Sequence, residues 1–240
     1  EKNLRNTARK GQTKHMDINQ VITGELGVKR WQVDAAVKLI DEGNTIPFIA
    51  RYRKEVTGTL DDAQLRTLHE RLMYLRNLEE KKEQVLASIE EQGKLTEELK
   101  KQILAAETMV VVEDLYRPYR PKRRTRAMIA KEKGLEPLAA LITLQKAEKP
   151  IEVYAEEYVN PEKEVKSVKE AIDGAKDIIA ESVSDEADYR SWIRKATVQH
   201  GKVISQAKDE NAESVYEMYY DFEEPVNRLA GHRVLALNRG

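Results

Sequence analysis

Thr59–Gly93 reads TLDDAQLRTLHERLMYLRNLEEKKEQVLASIEEQG. Leu65, Leu68, Leu72 and Leu75 recur at spacings of three, four and three, and Val85, Leu86 and Ile89 resume the stripe. With about 3.6 residues per turn, that spacing gathers the apolar side chains on one helix face. The stretch therefore predicts the longest helix of the chain, ending near Gln92. Thr59 with Asp62 three residues on is expected to cap its start, and Gly93 to stop it. The stripe reads as helix-on-helix core packing rather than as a cofactor box.

The composition agrees with a helical chain. Of 240 residues, 40% are hydrophobic, 35% charged and 6% aromatic, and eleven Gly and seven Pro are too few for an all-β fold. Glu, Lys, Arg, Leu and Ala dominate, which favours helices. The net charge of −1 is no general attraction for a polyanion, so any nucleic-acid affinity must arise from local clusters. There are no cysteines, hence no disulfide and no thiolate metal site, as expected in a reducing cytoplasm. No long apolar run predicts a membrane span, and no signal-peptide pattern is visible.

Outward from the long helix, the N-terminal side predicts two short helices. Ile18 to Leu26 ends at Gly27; Val33, Ala36, Val37 and Ile40 form an amphipathic turn set with Trp31 at its entry. Asn44 to Ala50 is apolar and leads into Arg51-Tyr52-Arg53-Lys54, and Val56-Thr57-Gly58-Thr59 reads as a turn. Residues 1–15 are polar and basic with no apolar period, and read as a poorly ordered leader before Met16.

On the C-terminal side, Thr96 is expected to cap a helix through about Ala106, and Val110 to Val112 extend a short helix or lie buried. Glu113 to Lys133 reads EDLYRPYRPKRRTRAMIAKEK. Pro118 and Pro121 predict extended backbone over 117–122, and a helix is expected from near Thr125 to Gly134. Glu136-Pro137 opens the next helix, to about Gln145. The helix–Gly–helix unit over 123–145 has the form of a helix-turn-helix or helical hairpin. Asn160-Pro161 is expected to start a helix burying Val165, Val168, Ala171, Ile172, Ala175, Ile178 and Ile179. Ser184-Asp185-Glu186 starts another, with Tyr189, Ile193, Ala196 and Val203 as its apolar side. His232 to Leu237 alternates and reads as a strand with a turn at Asn238-Arg239-Gly240, so that 226–240 is a strand leading into a longer protein. The fold class is thus all-α, a multi-helix region over 16–225 with a helix-turn-helix-like unit near 110–145 and a terminal β-strand.

The basic segment supplies the candidate site. Arg117, Arg120, Lys122, Arg123, Arg124 and Arg126 surround Tyr119, and Arg51, Arg53 and Lys54 form a second basic run. Guanidinium groups pair bidentately with phosphate, and tyrosine stacks on bases. The other reading is structural: tyrosines and prolines pack down while the arginines cap helices or pair with the many acids. Residues 208–224 are acidic and carry Tyr216, Met218, Tyr219, Tyr220 and Phe222, a stretch suited to docking on a basic face or a partner. No phosphate-loop, dinucleotide or nucleophile-elbow motif occurs, and His15, His69, His200 and His232 are scattered. No enzyme site, metal site or cofactor is expected.

Several stretches resemble bacterial Tex proteins, the transcription accessory proteins. They are Ile46 to Gly58 (IPFIARYRKEVTG), Leu60 to Arg66, Asp114 to Ala127 (DLYRPYRPKRRTRA), Gly134 to Ala139 and His232 to Gly240. The similarity covers about residues 16–240. It implies the helical N-terminal region of a longer protein whose RNase H-like YqgF domain, helix-hairpin-helix elements and OB-fold RNA-binding domain lie beyond Gly240. On that resemblance the chain is a scaffold that positions nucleic-acid-binding domains, with RNA or DNA as partner. The alternative is a module docking RNA polymerase or other domains of the same chain.

Overall fold

The computed structural model describes residues 16–209 and 211–239; the leader expected at 1–15, His15 and Gly240 lie outside them. Among the described residues there are thirteen α-helices and one two-stranded sheet. The chain divides into two units, one up to Glu113 and one from Asp114 onward.

The first unit holds α1 (Ile18–Leu26), α2 (Arg30–Asp41), α3 (Ile46–Tyr52), α4 (Lys54–Thr57), α5 (Asp62–Glu91) and α6 (Glu97–Ala105). α7 (Met109–Tyr116) contains the boundary. The Leu-striped stretch is α5, as its periodicity predicts, and it buries Leu65, Leu68, Leu72, Leu75, Leu78, Val85 and Ile89. Its cap is not Thr59 with Asp62. Asp61 accepts from the Gln64 amide at 2.7 Å, and Gln64 Oε1 accepts from the Asp61 amide at 3.1 Å. That reciprocal pair satisfies two orphan donors at once, while Thr59 is held at φ 65 in the turn before it. The apolar run from Ile46 is helical, with Pro47 in its first turn, where the missing N–H costs nothing.

Gly58 ends α4 at φ 62. A Cβ there would stand 2.3 Å from Cη2 of Trp31 and 2.9 Å from Nε2 of Gln32, which itself donates to the Gly58 carbonyl at 2.8 Å. Gly58→Ala is expected to destabilise the first unit by about 1–2 kcal/mol through left-handed strain alone, and to displace the indole as well. Urea unfolding together with Trp31 fluorescence checks this; an unmoved midpoint and emission would contradict it.

The second unit contains α8 (Arg126–Glu132), α9 (Glu136–Leu144), α10 (Ile151–Ala155), α11 (Val168–Asp185) and α12 (Ala187–His200). Strands β1 (Lys202–Gln206) and β2 (Asp221–Pro225) and helix α13 (Gly231–Leu237) follow. Its core is built from small side chains, Ala127, Ala130, Ala139, Ala155, Ala171 and Ala175, around Leu135, Leu138, Val165 and Ile178. α11 carries the inner stripe, and α8 and α9 pack onto it.

Four local expectations are corrected. The stretch 232–237 is helix α13, not a strand; Leu, Ala and Arg favour a helix. The strands are β1 and β2, antiparallel, with Lys202 opposite Pro225 and Gln206 opposite Asp221. Val203 therefore lies in β1 rather than on a helix. Asn160-Pro161 opens a single 3-10 turn, since Glu164 sits at φ 58 and Asn160 pairs with Val165 through backbone bonds of 2.9 and 3.0 Å. The helix begins later, where Ser167 accepts from the Glu170 amide at 3.2 Å. Arg117–Tyr119 is also a 3-10 turn; only from Arg120 does the chain run extended as the prolines predict.

Candidate nucleic-acid interface

The segment from Arg117 to Arg126 lies against one face of α11. Asp177, Glu181 and Asp185 occur at four-residue intervals on that helix, one above another. Arg117 Nε donates to Asp185 Oδ1 at 3.0 Å. Lys122 Nζ reaches Asp185 Oδ2 and stands 3.5 Å from Glu181 Oε1. Thr125, the cap of α8, accepts from the Met128 amide at 3.1 Å and donates to Glu181 at 2.9 Å. Arg126 stands 3.6 Å from Asp177. A cleft of about 350 Å³ between these elements is lined by Arg117, Arg120, Lys122, Thr125, Glu181, Ser184 and Asp185. Its two carboxylates already hold Arg117 and Lys122, so an entering anion would have to compete with them.

The predicted site residues thus separate into groups. Arg117 and Lys122 are clamped to α11. Tyr119 is half-buried and Arg120 exposed, and each already holds a contact within the protein. Arg124 pairs with Glu132 at 2.6 Å, but both side chains are largely solvated, as is Arg126. Such exposed pairs contribute about 0–1 kcal/mol and open readily to a competing phosphate. Arg123 is exposed and has no ion pair among the described residues. Periodic acids on α11 were the sequence signal for this clamp.

Nearby, Asp114 anchors the start of the segment. It accepts from Arg190 at 2.8 Å and from Arg194 at 2.6 Å, two residues one turn apart on α12. Burial pushes its carboxyl up, but the two guanidinium hydrogen bonds outweigh this and hold it below the ordinary carboxylate value.

α8 and α9 stand where the helix-turn-helix-like unit is expected. α9 reads EPLAALITL and contains no Lys, Arg, Asn or Gln, the side chains that best read base edges. The unit's basic side chains lie in α8 and the turn after it: Arg126 stands near Asp177, Lys131 near Glu136, and Lys133 donates to the Glu164 carbonyl.

Arg51, Arg53 and Lys54 belong to the first unit, at the break between α3 and α4. There the Arg53 guanidinium lies 5.1 Å from the Phe48 ring centre and that of Arg51 6.0 Å from Tyr52. Phe48 and Tyr52, one helical turn apart, have ring centres 5.4 Å apart.

The described residues of the acidic aromatic stretch 208–224 lie mostly between β1 and β2, with the Tyr219 and Phe222 rings edge to face at 5.3 Å. Glu223 and Glu224 of β2 pair with Lys202 and Arg233. Among the described residues no cluster of His, Cys, Asp and Glu could hold a metal ion, and no helix is long and apolar enough to cross a membrane.

Residues 16–90 match the family described as Tex-like protein N-terminal domain, and residues 145–240 that described as Tex central region-like. The chain is 48% identical over 228 residues to Protein tex of Bordetella pertussis, covering 94% of this chain and 29% of that protein. It is 45% identical to the Transcriptional accessory protein Tex of Neisseria gonorrhoeae, over 94% of this chain and 30% of the relative. It is 29% identical to human S1 RNA-binding domain-containing protein 1, over 93% of this chain and 23% of the relative. The chain therefore spans less than a third of the length of each of these relatives. With both matched regions in order, and Tex proteins similar along nearly its whole length, the chain belongs to the Tex family of transcription accessory proteins, as an N-terminal region.

Proposed function

We propose that this chain is the N-terminal helical scaffold of a Tex-type transcription accessory protein. It positions nucleic-acid-binding domains of the longer polypeptide and contacts phosphate backbone itself. The observation that carries this reading is the division of labour within the basic segment. Arg117 and Lys122 are fixed to α11 by Asp185, which sets the segment's course. Arg123, Arg124 and Arg126 are left in solvent. A relative named for an S1 RNA-binding domain supports nucleic acid as the partner. No catalytic step is assigned to the chain, and it is expected to leave nucleic acid uncleaved in Mg²⁺.

The test is a salt titration of binding to single- and double-stranded RNA and DNA. The log–log slope is expected to be about −0.7 to −0.9 per phosphate neutralised. Arg123→Glu with Arg124→Glu is expected to weaken binding and flatten that slope. Binding that shows no salt dependence would refute the phosphate contact.

A second reading, a module docking RNA polymerase or other domains, is favoured by α12. None of its residues is buried, and Tyr189, Trp192 and Ile193 on one face are 54%, 69% and 55% exposed. Retention of a polymerase partner by the Arg123→Glu, Arg124→Glu variant would separate that role from phosphate binding.

A further inference from the structure

The first unit treats its arginines unequally. Arg30, Arg66, Arg71 and Arg76 each hold a carboxylate: Asp17 and Asp34, Asp62, Glu25 and Asp41 respectively. The pairs made by Arg71 and Arg76 are bidentate, at 2.6–2.9 Å. Arg51 and Arg53 have no ion pair among the described residues, and neither has Lys54 beside them. The one acid in this run is Glu55, which is exposed and likewise without an ion pair among the described residues. Three cations within four residues, none with a carboxylate partner among the described residues, repel one another.

Two of the three, Arg51 and Arg53, stand on aromatic rings. Phe48 is half-buried beneath the Arg53 guanidinium, while Tyr52 is 56% exposed. The backbone changes course here: Arg53 sits at φ −134, ψ 27, between the end of α3 and the start of α4. Its Nη1 donates to the Tyr52 carbonyl at 3.0 Å, which holds the guanidinium beside the helix end with its other donors unused. A large exposed ring next to unpaired guanidinium groups matches one chemistry in particular. Cations take phosphates, and the ring takes an unstacked base. A duplex keeps its bases stacked inside and offers nothing to such a ring.

We propose that the α3–α4 junction is a contact site for single-stranded nucleic acid, with one base stacked on Tyr52 and adjoining phosphates held by Arg51, Arg53 and Lys54. This rests on the nucleic-acid reading above and gives it a strand preference and a place in the first unit.

The test uses the full chain, fluorescence anisotropy, a labelled oligouridylate, oligothymidylate of equal length, and an RNA duplex. Both single strands are expected to bind more tightly than the duplex. Tyr52→Ala is expected to weaken single-strand binding about tenfold and to leave duplex binding unchanged, and Tyr52→Phe to retain affinity because stacking needs the ring and not the hydroxyl. Replacing Arg51, Arg53 and Lys54 by Gln is expected to reduce the log–log salt slope by roughly 2, at about 0.7 for each single-strand phosphate that is no longer neutralised. These side chains are solvent-exposed or half-buried and not in the core, so the variants should fold; unchanged circular dichroism confirms it, and if the triple variant fails to fold the Tyr52 pair still decides. Single-strand binding that survives both Tyr52→Ala and the triple substitution, yet falls with Arg123→Glu and Arg124→Glu, would overturn this site and leave the general reading standing. A wild-type chain that binds neither strand nor duplex would remove both.

Discussion

Glu79→Ala is expected to destabilise the first unit by about 3–5 kcal/mol, the range for removing one partner of a buried ion pair. The cause lies in the stripe of α5. Between Leu78 and Val85 the inward position is occupied by Lys82, which is 1% exposed. Its Nζ donates to Glu79 Oε1 at 2.8 Å and to the Leu104 carbonyl, in the last turn of α6, at 3.0 Å. Glu79 is only 14% exposed and its other oxygen accepts from the Met16 amide at 3.2 Å. Removing the carboxylate leaves an ammonium among leucines with one carbonyl for company, and frees the Met16 amide as well. Replacing the pair together behaves differently, because no lone charge is left to desolvate. Glu79→Leu with Lys82→Met is expected to lie within about 1–2 kcal/mol of the parent, in either direction. Denaturant unfolding read by amide exchange in α5 and α6 measures both. Equal losses in the single and the double variant would show that the pair itself, rather than the orphaned charge, sets the cost.

Asp114→Ala should cost the second unit about 2–4 kcal/mol. It deletes two charge-assisted hydrogen bonds, each worth about 1.5–3 kcal/mol. Part of that returns because Arg190 and Arg194, 33% and 42% exposed, regain water. The same group makes stability depend on pH. Its folded value lies below the unfolded one, so the unfolded chain binds the proton first as pH falls. The stabilisation is therefore complete above the unfolded carboxylate value, about 3.9, and is lost as pH falls through the folded value. Asp114→Asn should flatten this acid limb in exchange rates of α11 and α12. An acid limb of equal depth in the variant would place the titrating group elsewhere.

Much of the architecture was legible along the chain. The α5 stripe, the Thr96 cap, the helix start near Thr125 and the Gly93 and Gly134 stops all rest on interactions within one or two helical turns, which spacing along the chain reveals. The errors have separate causes. Asn160-Pro161 has every mark of a helix start, yet a backbone pairing with Val165 and the left-handed Glu164 end it after one turn. His232 to Leu237 alternates like a strand, but alternation over six residues also fits a short helix. Between Leu75 and Val85 the stripe of α5 is continued by Leu78 and a buried lysine, and no pattern of apolar letters finds the latter.

For the candidate site, residue types pointed to phosphate chemistry and to both basic runs, and the family resemblance was carried by those same motifs. Which cations remain available was not written there. Arg117 and Lys122 find Asp185 at sequence separations of 68 and 63, whereas Arg51 and Arg53 find no acid at all among the described residues. Local sequence determined most of the helices, many of their ends and the stock of charges. Tertiary structure alone decided which charges cancel, because an ion pair depends on two side chains arriving within a few ångströms, and folding brings together residues that no spacing rule connects.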